Sequence, residues 1–231
     1  ICLVTEMLNH EIFQWHKKNS LKINLQLPKK TTAVEVFRNG EGKAQVMLDI
    51  APPTFVKNRS DISQLADLLS ISPNDFEKTL PLEMALGDFN HLVLPFKNLA
   101  NISSIEPNFA GLVDFCRQFD IQTLACFTTE TQNDNCNLHV RDFCPAVGAN
   151  ESAATGTTNA ALSAYLFRHR RCQISANGLV HIRSEQGLEM NRPSTIHSIL
   201  HTSEKTINRI QVGGVAVKTI SGQLHLNDYE E

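Results

Sequence analysis

A chain of 231 residues has room for one large domain or two modest lobes, and for a sizeable buried core. Hydrophobic residues make up 42% of the chain and charged residues 19%, a composition that excludes intrinsic disorder. The formal net charge of −3 offers no basic excess for nucleic-acid phosphates, and no apolar run reaches transmembrane length. We therefore expect a globular protein that binds neither nucleic acid nor membrane.

The first part of the chain predicts one helix and three strands. Apolar residues fall at helical spacing and then alternate with polar ones over four segments: Ile1–Trp15, Leu21–Leu27, Val34–Phe37 and Val46–Ile50. The polar and glycine-rich segment Asn39–Gly42 lies between the last two strands, which predicts a β-hairpin. Pro52 and Pro53 end the last of these strands.

The middle of the chain predicts short helices and further strands. Ser60 is the predicted N-cap of one helix. Ser72, with Pro73 at the first helical position and Asp75 near the third, marks the start of another. Apolar runs and helical spacing then predict three strands and a helix: Leu92–Phe96, Leu124–Phe127 and Leu138–Phe143 as strands, and Phe109–Cys116 as the helix.

A helix of distinctive composition is predicted from Thr155 to Leu166. It is rich in small residues, nearly free of charge and apolar on most sides, so we expect it to be buried. A turn at Asn177-Gly178 and a last hairpin around Gly213-Gly214 and Ser221-Gly222 follow. Because strands precede and follow this helix without βαβα alternation, the pattern favours an α+β fold with a mainly antiparallel sheet.

The entry to this helix is a candidate anion site. Helix N-termini leave backbone N–H groups unpaired and carry partial positive charge, so they bind carboxylates and phosphates. Gly156 would let a ligand approach the backbone closely, and Thr155 and Thr157 offer hydroxyl groups. A purely structural explanation also exists, in which the threonines cap the helix and Gly156 fits a tight turn.

Three motifs resemble the phenazine-biosynthesis PhzF-like family. The family stretch R-x-F-x-P-x-x-G-x-x-E-D-P-A-T-G-S matches this chain at eight positions: Arg141, Phe143, Pro145, Gly148, Glu151, Ala154, Thr155 and Gly156. The family strand Q-G-x-x-M-x-R-P-S and hairpin V-G-G-x-A-V match further residues: Gln186, Gly187, Met190, Arg192, Pro193, Ser194 and Val212–Val217. The resemblance is good from Leu92 to Leu226 and loose before it.

The resemblance implies a diaminopimelate-epimerase-like fold with two pseudo-symmetric lobes. Each lobe would be a mainly antiparallel, β-barrel-like sheet around a central helix. We expect a partial N-terminal lobe over residues 1–90 and a C-terminal lobe over residues 91–231, whose last strands can pack back on the first. The family places its active site between the lobes and isomerises its substrate by acid–base proton transfer, without a metal or an organic cofactor.

Two departures from the family pattern concern the proton-transfer groups. The family's catalytic glutamate lies in an S-E-T-A-F-like stretch that has no match here, and the first lobe is therefore expected to be incomplete. The family's aspartate is replaced by Ser152, which cannot act as a carboxylate acid or base at neutral pH. Thr157 keeps a hydroxyl group at the position of the family's serine.

Other candidates for chemistry have simpler explanations. A two-thiol racemase would need a cysteine at the helix entry, whereas Cys144 lies on the preceding strand. Cys136, His139 and Cys144 lack the paired spacing of a zinc site. Two histidines four residues apart and one basic run are expected on a surface strand and at a solvated helix end: His197, His201 and Arg168–Arg171. None of the six cysteines forms a CxxC pair and no signal peptide is recognisable, which indicates the cytoplasm.

Two functional hypotheses follow. In the first, the chain is a PhzF-like isomerase or epimerase of a small anionic metabolite, bound by Thr155, Gly156 and Thr157, with Ser152 at the catalytic aspartate's position. In the second, it is a non-catalytic or truncated relative that binds a small ligand or depends on a partner. We expect a homodimer or pairing with a missing N-terminal segment, and neither cofactor nor metal.

Overall fold

The computed structural model describes residues 1–12, 15, 20–27 and 31–222. Within them are five α-helices: α1 (Cys2–Asn9), α2 (Ile62–Leu68), α3 (Leu99–Ser103), α4 (Phe109–Gln118) and α5 (Gly156–Arg168). They also contain twelve strands: β1 (Ser20–Gln26), β2 (Thr31–Arg38), β3 (Ala44–Ile50), β4 (Thr54–Lys57), β5 (Glu83–Leu86), β6 (Asn90–Pro95), β7 (Thr123–Thr128), β8 (Leu138–Cys144), β9 (Ala149–Ser152), β10 (Leu179–Gln186), β11 (Ser194–Ser203) and β12 (Thr206–Gly214). None of these helices is long and apolar enough to cross a membrane.

The strands form one large mixed sheet. Eleven of them lie in the order β1-β2-β3-β12-β11-β10-β8-β7-β6-β5-β4, and β9 pairs with β8 beside this path. Most neighbours are antiparallel, as predicted, but β6 pairs with β7 and β8 pairs with β10 in parallel. Helices connect both parallel pairs, because parallel neighbours need a crossover. The α+β prediction is confirmed, with two crossovers that the sequence pattern did not reveal.

The sheet does not close into the expected barrel within the described residues. A barrel needs its first and last strands to pair, whereas the edge strands β1 and β4 each have one partner. Pro52 and Pro53 separate β3 from β4, and proline has no N–H to donate to a strand ladder. On either side of them β3 pairs with β12 and β4 pairs with β5.

The main hydrophobic core surrounds α5, which packs against β6, β7, β11 and β12. Every residue from Thr158 to Leu166 is buried, which confirms the prediction made from the helix's composition. Tyr165 lies between the rings of Phe55 and Phe127, and its hydroxyl donates to the Pro81 carbonyl at 2.6 Å. A second core lies under α2 and α4, so the central strands are buried on both faces.

The structure corrects one predicted helix end and two predicted helix starts. The predicted helix Ile1–Trp15 stops at Asn9, since Glu11 adopts a left-handed φ of 55°; its residues 13 and 14 lie outside the described residues. Asp61, rather than Ser60, caps α2. The helix start predicted at Ser72 is present as a capping box with Asp75, on a single 3-10 turn rather than an α-helix.

The predicted last hairpin is wrong at Gly213-Gly214, and the part of it after Gly222 lies outside the described residues. Gly213 and Gly214 lie inside β12, and the described residues 215–222 form no strand. The hairpin turn falls between β11 and β12, where Glu204 has a φ of 53°. Gly213 serves a close approach of strands instead, because a Cβ at this position would overlap the carbonyl oxygen of Val46.

Candidate functional site

The first turn of α5 begins at exposed and half-buried residues, although Thr158 to Leu166 are buried. Thr155 is the N-cap residue, yet its side chain makes no cap hydrogen bond to this turn. Gly156 is exposed, and Thr155 and Thr157 are half-buried. The N–H groups of a first helical turn have no partner inside the helix, so they stay available to a ligand here.

Neither backbone conformation nor packing requires a glycine at position 156. Its φ lies outside the left-handed region, so the backbone there suits any residue. A Cβ would meet Ile50 Cδ1 at 3.7 Å and Val212 Cγ1 at 3.9 Å, which is ordinary van der Waals contact. The structure therefore supports neither the capping threonines nor the tight turn of the structural explanation, and Gly156 leaves room beside the backbone.

Gln186 fixes the geometry of this turn. It is fully buried at the end of β10. Its Nε2 donates to the Ser152 carbonyl at 2.7 Å and to Thr155 Oγ1 at 3.2 Å. Its Oε1 accepts from the Thr155 N–H at 3.3 Å and from Asn159 Nδ2 at 2.9 Å. The motif that contains Gln186 was recognised in the sequence, but its role as an amide clamp was not predicted.

Ser152 lies next to this turn without a catalytic arrangement of its own. It ends β9, opposite Asp142 of β8 in register. Its hydroxyl donates to the Ala154 carbonyl at 3.3 Å, and its own carbonyl is held by Gln186. The structure thus brings Ser152 and Thr155 together through one buried amide, and Ser152 supplies no titratable group.

A buried carboxylate that the sequence pattern does not predict lies beneath the turn. Thr155 Oγ1 donates to Asp142 Oδ2 at 2.7 Å, while the buried Oδ1 has no hydrogen-bond partner among the described residues. Burial raises the pKa of Asp142 to about 6, against the opposing effect of the hydroxyls of Thr155, Thr158 and Thr123. The only signal in the sequence is one acidic residue, Asp142, inside the strand predicted at Leu138–Phe143.

His91 adjoins the same group of hydroxyls. Its Nδ1 lies 2.6 Å from Thr123 Oγ1 and 3.4 Å from Thr158 Oγ1. Burial lowers the pKa of His91 to about 4, so its imidazole is neutral near pH 7. His91 and Thr157 also line a small cavity at the Pro53 break in the sheet. Polar residues therefore surround the entry of α5 from β6, β7 and β8.

Two residues of the recognised motif are structural. Arg141 Nε and Nη2 each lie 3.0 Å from a carboxylate oxygen of Glu151, and Nη1 donates to the carbonyls of Ile102 and Ile105. The guanidinium also lies over the Phe143 ring at 4.7 Å. This buried pair ties β8 to β9 and to the end of α3, so Arg141 and Glu151 hold the loop that leads to the candidate site.

The residues considered for metal or thiol chemistry have other partners. His139 Nδ1 and Nε2 each lie 2.8 Å from a carboxylate, of Glu185 and Glu189 respectively. Cys136 and Cys144 are free and buried, and burial raises the pKa of both thiols. Across the residues that the structure describes, no cluster of three or more His, Cys, Asp or Glu side chains could hold a metal ion.

The remaining basic and histidine candidates lie where the sequence placed them. The basic run follows the end of α5, where Glu83 pairs with His169 Nε2 at 2.8 Å and with Arg168 Nε at 3.6 Å. His197 and His201 are half-buried on β11, as the strand prediction requires. None of these residues lies in the group of side chains around the α5 entry.

The fold and the site together define an α+β protein with a buried central helix, whose open first turn lies above a buried carboxylate. Comparison with known sequences then identifies the family. Residues 9–222 match the PhzC-PhzF family of phenazine biosynthesis-like proteins, and the chain belongs to this family. The resemblance inferred from the three motifs is thereby confirmed, and the match also covers the earlier part of the chain.

Two relatives of similar sequence are named as isomerases. An uncharacterized isomerase of Clostridium acetobutylicum is 23% identical over 164 residues, covering 71% of this chain and 54% of that protein. A trans-2,3-dihydro-3-hydroxyanthranilate isomerase of Pseudomonas chlororaphis is 26% identical over 187 residues, covering 81% and 61%. The chain therefore spans less than two thirds of the length of either relative.

A solved structure shares the fold. The crystal structure of a phenazine biosynthesis protein of the PhzF family from Bacillus anthracis superposes with a TM-score of 0.80 at 18% sequence identity. The superposition covers 92% of this chain and 70% of that one. At this identity the similarity shows the fold alone, and the chemistry must be argued from the residues present here.

Proposed function

We propose that the chain is part of an isomerase or epimerase that moves a proton on a small carboxylate metabolite, by acid–base chemistry without a cofactor. The names of its relatives support the reaction class, since several family members are isomerases. The substrate of the Pseudomonas relatives carries a carboxylate, and we propose this class of ligand for the chain. The open first turn of α5 would bind the carboxylate through its backbone N–H groups.

The observation that carries this proposal is the first turn of α5, which has no cap bond from Thr155 and begins at a glycine that neither backbone conformation nor packing requires. Side chains normally satisfy the first N–H groups of a helix, and Thr155 directs its hydroxyl to Asp142 instead. Ser152, at the position of the family's aspartate, places no negative charge beside the turn. These features leave unpaired backbone N–H groups at an accessible helix end, which suits a small anion.

Calorimetry with 3-hydroxyanthranilate tests the binding part of the proposal. This compound keeps the carboxylate, amine and hydroxyl of the dihydro substrate but is aromatic and cannot undergo the proton shift. We expect Gly156→Ala to weaken binding at least about tenfold, since a methyl group would stand beside the N–H groups. Gly40→Ala is the matched control, because Gly40 has open space around it. Equal binding by wild type and Gly156→Ala would contradict the assigned site.

Turnover tests the catalytic part. The complete native protein would be incubated with trans-2,3-dihydro-3-hydroxyanthranilate in D₂O, and deuterium in the product measured by mass spectrometry. Isomerisation by proton transfer predicts turnover with deuterium from solvent at the newly protonated carbon. Binding of 3-hydroxyanthranilate without any turnover would instead favour the second hypothesis, a non-catalytic relative that binds a small ligand.

We also propose a cytoplasmic homodimer with two pseudo-symmetric lobes divided near residue 90. The last strand, β12, pairs with β3 of the earlier segment, in line with the idea that late strands pack back on the first lobe. Light scattering of the complete native protein would measure its oligomeric state.

A further inference from the structure

Asp142 is a buried carboxylate that forms no ion pair with any residue the structure describes. Its side chain is about 1% exposed, and its neighbour in sequence, Arg141, forms its ion pair with Glu151 instead. Successive residues of a strand face opposite sides of the sheet, so Arg141 and Asp142 belong to different environments. One oxygen of Asp142 accepts a hydrogen bond from Thr155. The other has no partner of good hydrogen-bond geometry among the described residues, and the hydroxyls of Thr158 and Thr123 lie near enough to the carboxylate to lower its pKa. An incompletely satisfied buried carboxylate costs stability and calls for an explanation.

Thr155 connects this carboxylate to the open end of α5. A threonine hydroxyl has one proton to donate and two lone pairs to accept with. The proton goes to Asp142 Oδ2 at 2.7 Å, and one lone pair accepts from Gln186 Nε2 at 3.2 Å. The second lone pair is left for another donor. Because Thr155 is half-buried and Asp142 is fully buried, the Thr155 hydroxyl lies between the carboxylate and the place where a ligand would bind at the turn.

We propose that Thr155 and Asp142 form a proton relay, in which the Thr155 hydroxyl takes a proton from the bound substrate while Asp142 receives the proton of that hydroxyl. The relay rests on the proposed function and deepens it, by supplying the acid–base group that Ser152 lacks. Thr155 would be the catalytic residue, since it would touch the substrate. Asp142 would act through Thr155 and would not touch the substrate.

The transfers balance within the substrate and these two residues. A C–H bond of the substrate breaks and leaves its electron pair in the conjugated system of the substrate. That proton forms a new O–H bond on Thr155, as the original Thr155 proton moves to Asp142 Oδ2. The reverse transfers form a C–H bond at a different carbon and return Asp142 to its ionised form. The reaction is an isomerisation, so it needs no oxidant or reductant.

The surroundings of Asp142 suit this role electrostatically. The negative charge of Glu151 on β9 raises the pKa of Asp142 in the same direction as burial does. The thiols of Cys126 on β7 and Cys144 on β8 are neutral, because burial raises their pKa values, and His91 on β6 is neutral because burial lowers its own. A carboxyl group that titrates near pH 6 can accept and return a proton near neutrality.

The test follows turnover of trans-2,3-dihydro-3-hydroxyanthranilate by the complete native protein between pH 5 and pH 8. We expect kcat/KM to rise with pH through an apparent pKa near 6 in the wild-type protein. Asp142→Asn should lower kcat at least about 100-fold and remove this limb of the profile. Asp67→Asn, an exposed carboxylate of α2, is the matched control and should leave both unchanged.

Thr155 provides a second pair of variants in case Asp142→Asn folds poorly. Thr155→Val removes the hydroxyl at nearly constant volume and should lower kcat at least about 100-fold, whereas Thr155→Ser should stay within about tenfold of wild type. A melting temperature measured at pH 8 separates folding from catalysis, and Asp142→Asn should raise it because the buried charge is removed.

The outcomes separate the relay from the function on which it rests. Turnover that survives Asp142→Asn or Thr155→Val with an unchanged pH profile would overturn the relay and leave the proposed function standing. Absence of turnover by the wild-type protein would overturn the proposed function and the relay together. Loss of turnover in both variants, with rescue by Thr155→Ser and retained binding of 3-hydroxyanthranilate, is the result that the relay predicts.

Discussion

Removal of the Glu151 carboxylate should destabilise the whole region that leads to the candidate site. Glu151 binds the buried Arg141 guanidinium through two hydrogen bonds of 3.0 Å each. Glu151→Ala would leave this charge buried and without a carboxylate partner. Breaking a buried ion pair from one side costs about 3–5 kcal/mol, and bonds to charged groups contribute about 1.5–3 kcal/mol each.

The structure places the expected loss at the lower end of that range. Arg141 Nη1 keeps its bonds to the carbonyls of Ile102 and Ile105, at 3.3 and 3.0 Å, so part of the guanidinium stays satisfied. We therefore expect Glu151→Ala to lower the free energy of unfolding by about 3 kcal/mol. Typical domains are stable by about 5–15 kcal/mol, so the loss would be a large fraction of the total.

Urea denaturation followed by circular dichroism measures this change as a shift of the unfolding midpoint at constant slope. Glu41→Ala is the matched control, because it breaks the exposed pair between Glu41 and Lys43 and should leave the midpoint in place. The double variant Arg141→Met with Glu151→Ala should recover part of the loss, since no unpaired charge remains. A loss below about 1 kcal/mol for Glu151→Ala would contradict the expected cost of leaving the Arg141 charge buried without a carboxylate partner.

Three further outcomes follow from the packing and from the pKa shifts. Gly213→Ala should cost about 1–3 kcal/mol in urea denaturation, because its methyl group overlaps the Val46 backbone, whereas Gly156→Ala should stay within about 0.5 kcal/mol of wild type. Burial opposes a charge on His139, but bonds to two carboxylates outweigh it and raise its pKa. That stabilisation is present below pH 6.5 and lost as pH rises through the raised pKa, so the advantage of wild type over His139→Gln should shrink between pH 6 and pH 9.

The helix at the centre of the fold could be predicted because its burial determines its composition. A helix enclosed on every side cannot carry charged residues, and α5 shows this from Thr158 to Leu166. Antiparallel strands could be predicted for a related reason, since β1 is half-buried on one face and alternates accordingly. In both elements, the local sequence reflects the local environment.

The structural role of each glycine cannot be read from the same sequence. Gly178 ends a turn with a φ of 74°, as predicted, whereas Gly213 lies in a strand because a neighbouring backbone leaves no space for a Cβ. Both uses depend on the missing side chain, and a single sequence does not separate them. The same limit applied to the N-cap of α2, where Ser60 and Asp61 are adjacent and both suitable.

The candidate site was only half predictable. Thr155, Gly156 and Thr157 could be singled out because they are consecutive at one helix start, and their role as binding residues stays a prediction. The Gln186 clamp and the Asp142 carboxylate could not, because their contacts with Thr155 cross 31 and 13 positions of the chain. Such contacts depend on strand pairing, which local patterns do not specify.

Binding of a small carboxylate at the first turn of α5 can be followed residue by residue in a nuclear magnetic resonance titration. The complete native protein, labelled with ¹⁵N, would be titrated with 3-hydroxyanthranilate while its backbone amide signals are followed. Binding at this turn predicts saturable shifts that are largest at Gly156 and Thr157 and are weakened by Gly156→Ala. Saturable shifts confined to other parts of the chain, with the α5 amides unmoved, would contradict it.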